Sequence, residues 1–464
     1  MRKLIVIGAD NYVRNFVQTG AFAAIEDGDT YYVAAARGVI HQETRAILAT
    51  RPNYLGEIGD SPRRAREYSR LQVLLLSSLR GRSRTIREKV RLLPPLRRLR
   101  FRIMSHPRLR ERFIRRYLDR AGLNQSLHDL MRSLKPDLVI APSGGIDHFA
   151  TDALRSAREL QIPSLVLVFN WDNLSSKGAF AVKPDYLAVW GEQSVEHAVR
   201  IHGFERDRVR ILGVPTFDSY FHHKPGTTKS PFPFRYALFA GCYAPFDEAT
   251  ALGHLDRAIE ASGLDLKVVY RPHPHRRPRK RPDRVDEDRF SHVVIDPQVR
   301  DLYEASFDEY GWRARRSKPL LPTLDYYPAL LENAEFTVCP LSTMIVESAI
   351  FERRVIVIAY DDGIHQDSPA LVVNYDHFEG IDRIDGFEIC RTVDDLARLF
   401  CEFATDHDRP AAPLQEQIRW WLYHDEKTYA DRLAALVREV SSEGRLLREG
   451  DERGMAPHAS FAPQ

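Results

Sequence analysis

Two short motifs in the second half of the chain carry side chains that suit an anionic ligand. The first motif, Arg271-Pro272-His273-Pro274-His275, places a guanidinium and two imidazoles on a proline-stiffened turn directly after an apolar run. The second motif, Ser342-Thr343, places two hydroxyls at the start of a predicted helix, where unpaired backbone N–H groups and the helix dipole favour an anion. The structural alternatives are a basic surface turn and an ordinary helix cap.

The predicted positions of the motifs suggest a shared ligand. Each motif follows a predicted strand, and parallel strands bring their carboxyl ends to one edge of a sheet, where a nucleoside mono- or diphosphate would fit. Glu347, one helical turn beyond the hydroxyls, could accept hydrogen bonds from a ribose diol. Gly241 follows another predicted strand and would let the backbone approach the donor closely, although a glycine is equally expected in an ordinary turn there. Neither GxGxxG nor the P-loop pattern follows any strand, so the nucleotide is expected as the leaving group of a donor.

These motifs require an α/β framework to position them. Short apolar runs alternate with helical patterns along most of the chain, which predicts parallel sheets with helices on both faces. The segment from His222 to Phe234 has the Lys, Pro, Gly, Thr and Ser composition of a linker. We therefore expect two doubly wound, Rossmann-like domains in tandem. The predicted segments are a first domain (1–221) with a basic helical insert (61–121), the linker (222–234), a second domain (235–400), C-terminal helices (401–442) and a disordered tail (443–464).

The insert holds most of the charge asymmetry of the 464-residue chain. Arg63 to Arg120 contains twenty Lys or Arg against four acidic residues, a net charge of +16, whereas the whole chain carries +3. Apolar residues recur among these cations at spacings of three and four, which predicts amphipathic helices. Such helices favour an anionic membrane surface, although a solvated bundle face is the plain alternative. Aromatic residues form no stacking motif here, so no nucleic acid partner is expected.

Composition excludes several other classes. No apolar run approaches the roughly 18 residues that span a bilayer, and the apolar stretch near Met1 is too short for a secretion signal. The four cysteines form no CxxC pair, so neither a disulfide framework nor a zinc site is expected. We therefore expect a cytoplasmic protein, peripheral on the inner membrane face.

The two motifs also carry a resemblance to a known family. The sequence resembles GT-B glycosyltransferases of bacterial surface-polysaccharide assembly. His273-Pro274 and Ser342-Thr343 are similar to the His-Pro and Ser-Ser or Ser-Thr motifs of cytidine-nucleotide enzymes, namely Kdo and sialic acid transferases and CDP-glycerol glycerophosphotransferases. A longer block, Phe169 to Gly178, with Pro184-Asp185 and Gly213 to Asp218, resembles uncharacterised proteins grouped with those enzymes. The resemblance spans Leu4 to Leu399 in architecture and excludes the insert.

The resemblance implies a nucleotide donor in the second domain, an acceptor in the first, and catalysis without a bound metal or other cofactor. No Asp-x-Asp motif ends a predicted core strand, which agrees with a metal-free site. Leaving-group charge would then be met by helix dipoles and by Arg271, His273, Ser342 and Thr343.

Carboxylates on first-domain loops are the candidates for activating an acceptor hydroxyl. Asp10 follows the first strand, Asp147 and His148 follow a glycine pair, and Asp172 follows the run that ends at Phe169. Each aspartate is alternatively a helix N-cap. Asp172 is the first choice because its neighbours could also bind a sugar; the candidate acceptor residues are Trp171, Asn173 and Lys177.

Together these features predict transfer of a sugar or polyol phosphate from a nucleotide donor, cytidine-linked, to a lipid-linked or polysaccharide acceptor. A GT-B-fold epimerase of a nucleotide sugar is the enzymatic alternative, and it would need no membrane. A non-catalytic scaffold that recruits partners to the membrane is the other alternative.

Overall fold

Two parallel β-sheets organise the chain. The computed structural model describes residues 1–145, 147–224, 226–243, 246–273, 284–305, 307, 324–406 and 410–451. The strands are β1 (Lys3–Ile7), β2 (Thr30–Ala35), β3 (Tyr54–Ile58), β4 (Leu138–Ser143), β5 (Ser164–Val168), β6 (Tyr186–Val189), β7 (Val209–Ile211), β8 (Tyr236–Ala240), β9 (Lys267–Arg271), β10 (Val293–Ile295), β11 (Thr337–Pro340), β12 (Val355–Ile358) and β13 (Phe387–Cys390).

Helices cover both faces of each sheet. They are α1 (Asp10–Tyr12), α2 (Gln42–Ala49), α3 (Pro62–Ser78), α4 (Arg84–Arg91), α5 (Pro95–Met104), α6 (Pro107–Ala121), α7 (Gln125–Leu134), α8 (His148–Glu159), α9 (Glu192–Arg200), α10 (Pro215–Phe221), α11 (Glu248–Ser262), α12 (Pro297–Ala305), α13 (Tyr326–Glu332), α14 (Met344–Ile350), α15 (Pro369–Val372), α16 (Val393–Thr405), α17 (Leu414–Gln417) and α18 (Tyr429–Asp451). Two π-helical turns, Val13–Val17 and Asn173–Lys177, follow β1 and β5.

The sheet topology places the candidate loops at two equivalent points. The first sheet has the order β3-β2-β1-β4-β5-β6-β7 and the second has the order β10-β9-β8-β11-β12-β13, with every pairing parallel. Strand order reverses direction between β1 and β4, and again between β8 and β11. Ligands of doubly wound sheets bind beyond the carboxyl ends of strands at such points. The predicted fold, two Rossmann-like domains in tandem with a helical insert, is confirmed.

The insert forms helices α3 to α6 between β3 and β4, as its apolar spacing predicts. It is attached to the first domain by a buried polar cluster, in which the Arg64 guanidinium and the Tyr68 hydroxyl both bond Asp152 of α8. The insert is therefore a fixed part of the first domain.

The last helix, α18, returns to the first domain. Leu433 and Val437 pack in the same apolar cluster as Ile5 and Ile7 of β1. The guanidinium of Arg432 donates to the Leu212 carbonyl at 2.9 Å. It also forms ion pairs with Asp218 of α10 and with Asp425, which precedes α18. The predicted tail falls partly in this helix, as far as Asp451, and otherwise outside the described residues. None of the helices in the described ranges is long and apolar enough to cross a membrane.

Candidate active site

The donor motifs converge around the end of β8, because β8 lies between β9 and β11 in the sheet. The Gly241 N–H donates to the Arg271 carbonyl at 2.9 Å. A Cβ on Gly241 would stand 3.1 Å from the His273 nitrogen and 3.1 Å from both Glu248 carboxylate oxygens. A larger residue would therefore push the His273 turn away from β8, which explains the glycine at this position.

Arg271 supplies a buried cation at this strand end. It is 5% exposed, and its guanidinium donates to Asp296 and, at 2.7 Å, to the Tyr327 hydroxyl. It also lies over the Tyr327 ring, 4.6 Å from the centroid. Burial alone would lower the pKa of Arg271, but Tyr327 and Asp296 raise it, so the cation persists at every physiological pH. Two of its five N–H groups bond these partners, which fixes the guanidinium in place and gives the site a fixed positive field.

Glu347 is the second buried charge-bearing group, one turn inside α14. It is 8% exposed, and the Tyr220 hydroxyl lies 3.5 Å from its Oε2. Burial raises the pKa of Glu347 to about 7, although Arg271, Arg14 and the hydroxyls of Tyr220 and Thr343 favour the ionised form. Since Tyr220 and Arg14 belong to the first domain, this carboxyl lies where the two domains meet and can change charge near neutral pH.

Ser342 and Thr343 differ in their surroundings. The Ser342 hydroxyl accepts from the Met344 N–H at 3.3 Å and contacts the Cys339 sulfur at 3.2 Å. Thr343 precedes the first residue of α14, yet its side chain makes no capping hydrogen bond and instead bonds Glu347. The plain N-cap alternative therefore does not describe Thr343.

The rest of the His-Pro turn is described only as far as His273. The His273 ring lies 5.8 Å from the Tyr243 ring in an edge-to-face arrangement, and Tyr243 is well exposed. Pro274 lies outside the described residues. His273 and Tyr243 thus form an aromatic rim beside Gly241.

Asp172 has one bonded and one unbonded carboxylate oxygen. Its Oδ2 accepts from Lys177 Nζ at 2.8 Å and from the Ser176 hydroxyl at 2.9 Å. Its Oδ1 is covered, and no donor among the described residues reaches it. Burial by itself raises the pKa of Asp172, but Lys177 and His377 outweigh burial and hold the pKa below its usual value. Asp172 is therefore an ionised carboxylate at neutral pH, and its side chain caps no helix.

The three predicted acceptor residues beside Asp172 mostly make contacts within the protein. Trp171 is 2% exposed, donates its indole N–H to Gln193 at 2.7 Å and packs on Trp421. The Asn173 side chain accepts from the Asn170 N–H at 2.6 Å and lies against Gly144. Lys177 is half-exposed in its ion pair with Asp172. Among these predicted acceptor residues, Lys177 alone presents its polar group toward solvent.

Asp147 is an N-cap, the alternative that its position suggested. Its carboxylate accepts from the Ala150 N–H at 2.8 Å, from the Tyr12 hydroxyl at 3.2 Å and from the Ser143 hydroxyl. Burial raises the pKa of Asp147, and these three donors partly offset the rise. A Cβ added to Gly8 would lie 2.8 Å from Asp147 Oδ1, so the glycine leaves room for this carboxylate. Asp147 thus joins the ends of β1 and β4.

Asp10 and His148 also have structural partners. The Asp10 carboxylate accepts from the N–H groups of Ile40 and His41 and from the Thr44 hydroxyl, which fixes the start of α2. The His148 ring stacks on Tyr68 at 5.2 Å, and burial lowers the pKa of His148, so its imidazole is neutral at pH 7. Within the described ranges, no hydrogen bond or ion pair joins Asp10 or Asp147 to Asp172.

Sequence reasoning missed four residues that the structure places beside the candidates: Arg14, Tyr220, Tyr327 and His377. Arg14 lies 5.8 Å from the Tyr327 ring centroid, across the domain boundary. The His377 ring bonds the Ser175 hydroxyl at 3.0 Å, and burial lowers the pKa of His377 to about 4. Their sequence neighbourhoods hold no catalytic motif, and only the packing of the two domains identifies them.

The candidate groups therefore belong to a two-domain α/β protein of the GT-B type and lie beyond strand ends in both domains. Within the described ranges, no cluster of three His, Cys, Asp or Glu side chains could hold a metal ion.

Comparison with known proteins supports the fold alone. No family model and no curated protein sequence matches the chain. A Listeria monocytogenes protein assigned as a UDP-N-acetylglucosamine 2-epimerase matches with a TM-score of 0.52 at 11% identity, over 96% of this chain and 97% of that one. The UDP-GlcNAc 2-epimerase of Methanocaldococcus jannaschii gives 0.51 at 11% identity, over 94% and 100%. The kitacinnamycin glycosyltransferase gives 0.50 at 11% identity, over 95% and 99%.

Proposed function

We propose that the protein is a nucleotide-dependent GT-B transferase that moves a sugar or polyol phosphate from a cytidine-linked donor to a lipid-linked or polysaccharide acceptor at the inner membrane face. The observation that carries the proposal is the electrostatic pairing of two buried groups, Arg271 at the end of β9 and Glu347 after β11, with Glu347 also interacting with the first-domain residues Arg14 and Tyr220. Buried charges of this kind in a cleft are characteristic of functional sites.

The donor would lie between the His273 turn and the Ser342-Thr343 helix start. In this assignment Gly241 lets the backbone approach the phosphates, and His273 with the two hydroxyls bonds them. Glu347 accepts from the ribose diol. Arg271 acts through its positive field, while two of its five N–H groups bond Asp296 and Tyr327. Positive groups fixed in a low-dielectric site stabilise the charge that develops on a departing phosphate.

The acceptor hydroxyl would bond Asp172 Oδ1, the oxygen without a protein donor, once the groups that cover this atom move aside. The lowered pKa keeps Asp172 ionised, so the carboxylate can orient the hydroxyl, and it accepts the proton as the hydroxyl becomes acidic during formation of the new bond. Asp147 and Asp10 are fully engaged in fixing α8 and α2, so they are weaker candidates. His148 is neutral and remains the alternative base.

A nucleotide-sugar epimerase is the second candidate, because two of the three fold relatives above carry that name. Such an enzyme would use the same pocket for the nucleotide. It would need neither an acceptor nor the basic insert, which is why we favour transfer.

Product analysis separates these functions. The protein would be incubated with cytidine-activated sugars, with and without membranes that carry glycolipid acceptors, while free nucleotide and sugar stereochemistry are followed by NMR. A transferase releases nucleotide only when an acceptor is present. An epimerase forms a new nucleotide-linked stereoisomer without acceptor, and a scaffold produces neither change.

A further inference from the structure

Helix α5 exposes an apolar stripe to solvent. Leu96 is 82% exposed, Leu99 55% and Ile103 52%. Their spacing of three and four residues places all three on one face of the helix. Six of the eleven exposed large hydrophobic side chains among the described residues lie in the insert, although the insert is a small part of the chain. Contiguous exposed apolar surface of this kind marks an interaction site.

Arginines border the stripe. Arg100 and Arg102 lie on either side of it in helical projection, and Arg97 and Arg98 occupy the rest of the exposed turn. None of these four side chains forms an ion pair within the described part of the chain. The helix thus presents a row of aliphatic groups between unneutralised guanidinium groups.

The stripe continues into a groove between α5 and α6. This groove has a volume of about 340 Å³ and is lined by the stripe residues together with Phe113 and Tyr117 of α6. The apolar face is therefore wider than one helix.

Hydrogen bonds join the insert to the loops that hold the candidate acceptor site. The Gln72 amide of α3 donates to the carbonyls of Gly145 and Ala179 at 3.0 and 3.1 Å. The Ser83 hydroxyl, before α4, donates to the Ser175 carbonyl at 2.7 Å. The Gly145 carbonyl lies in the loop after β4, and the Ser175 and Ala179 carbonyls lie in the segment after β5 that contains Asp172. A surface that docks on α5 is consequently tied to the acceptor side of the cleft.

We infer that α5 lies in the interface of an anionic lipid bilayer, with Leu96, Leu99 and Ile103 among the acyl chains and the arginines on lipid phosphates. Charge complementarity selects this occupant, because the +16 segment attracts an anionic surface and repels a second copy of itself. The aliphatic stripe suits acyl chains better than nucleic acid bases. The inference rests on the proposed function only in that the bilayer would also present the acceptor to Asp172.

Vesicle sedimentation tests the inference with the full chain. We expect binding to phosphatidylglycerol–phosphatidylcholine vesicles, weakened by salt, and little binding to phosphatidylcholine alone. The triple variant Leu96→Ser/Leu99→Ser/Ile103→Ser should lower the partition coefficient about 100-fold. Ile364→Ser, at a similarly exposed position in the second domain, is the matched control and should bind like the native chain.

Three results would overturn the inference: equal binding to neutral vesicles, no binding to either vesicle, or unchanged binding by the triple variant. Duplex RNA that binds as tightly as anionic vesicles, with the triple variant unaffected, would assign the surface to nucleic acid instead. Nucleotide binding measured on the native chain separates the two proposals. A native chain that binds anionic vesicles but no nucleotide contradicts the proposed function alone, and a native chain that binds nucleotide but no anionic vesicles contradicts the membrane assignment alone.

Discussion

The candidate donor site of the second domain and the insert of the first domain differ in the burial and pairing of their charged side chains. Arg271 and Glu347 are almost enclosed, and each has specific partners. The arginines of α5 are exposed or half-buried, and they have no ion-pair partner in the described ranges. One region fixes a few charges in a defined geometry, whereas the other spreads many charges over a surface.

This difference indicates different ligands. A buried charge interacts strongly at short range and is little screened by salt, which suits a small ligand of fixed shape. Exposed charges act weakly one by one but add over an extended, salt-sensitive contact, which suits a membrane. The predictions below test whether the buried groups serve binding and chemistry as the comparison implies.

The largest effect is expected at Asp172. Asp172→Asn removes the carboxylate that would orient and deprotonate the acceptor hydroxyl, so turnover should fall by about 10²- to 10⁴-fold. Nucleotide affinity should stay within a few fold, because the donor is held by the other domain. Steady-state kinetics and a binding titration on the same preparation measure both quantities.

Asp147→Asn is the matched control for that substitution. Asn caps a helix nearly as well as Asp, so we expect little change in turnover and a small loss of stability. Near-native turnover of Asp172→Asn, combined with a large loss in Asp147→Asn, would move the base to the β1–β4 side of the first domain.

At Arg271 we expect an effect on the free energy of unfolding that is smaller than the effect of Asp172→Asn on turnover. Arg271→Met leaves Asp296 buried without its cation, and breaking such a pair typically costs about 3 to 5 kcal/mol. We expect the lower end, because the Tyr326 hydroxyl and the Gln298 N–H still donate to Asp296. Denaturant unfolding measures the loss. Adding Asp296→Asn should recover part of it, and strict additivity of the two substitutions would show that the pair is not coupled.

The smallest effect is a pH dependence from Glu347. Its pKa of about 7 in the folded chain exceeds the unfolded value, so the folded state binds more protons between those two values. The free energy of unfolding should therefore fall as pH rises from about 4.5 to 8, by about 3 kcal/mol from this group. Glu347→Gln should remove that part of the slope. An unchanged pH profile in this variant would mean that Glu347 is ordinarily hydrated.

The strands that carry the site are predictable from their continuous apolar runs. The runs Tyr236–Ala240 and Val293–Ile295 coincide with β8 and β10. The edge strands β3 and β13 escape prediction, because no residue of β3 is buried and β13 mixes buried and exposed residues; β3 also contains Gly56 with a positive φ. An apolar run predicts a strand even at a sheet edge, as in β10, whereas a strand with exposed or mixed residues leaves no clear pattern.

The candidate site is predictable only in its local parts. The capping role of Asp147 follows from its place before a helix, and the structure confirms it. The partners of Glu347 do not follow, because Tyr220 lies 127 residues away and reaches it only through domain packing. The ion pair of Asp172 with Lys177 is local, but its unbonded Oδ1 depends on the whole surrounding fold.

Calorimetric titration with CMP, CDP, UDP and GDP tests the central claim most directly, namely that the second domain holds a cytidine nucleotide between His273 and Ser342-Thr343. We expect CMP or CDP to bind, to stabilise the chain by about 2.7 kcal/mol at 100 times Kd, and to bind more weakly to His273→Ala. Binding of UDP without CMP or CDP would contradict the cytidine assignment. Failure of all four nucleotides to bind would contradict the proposed donor site itself.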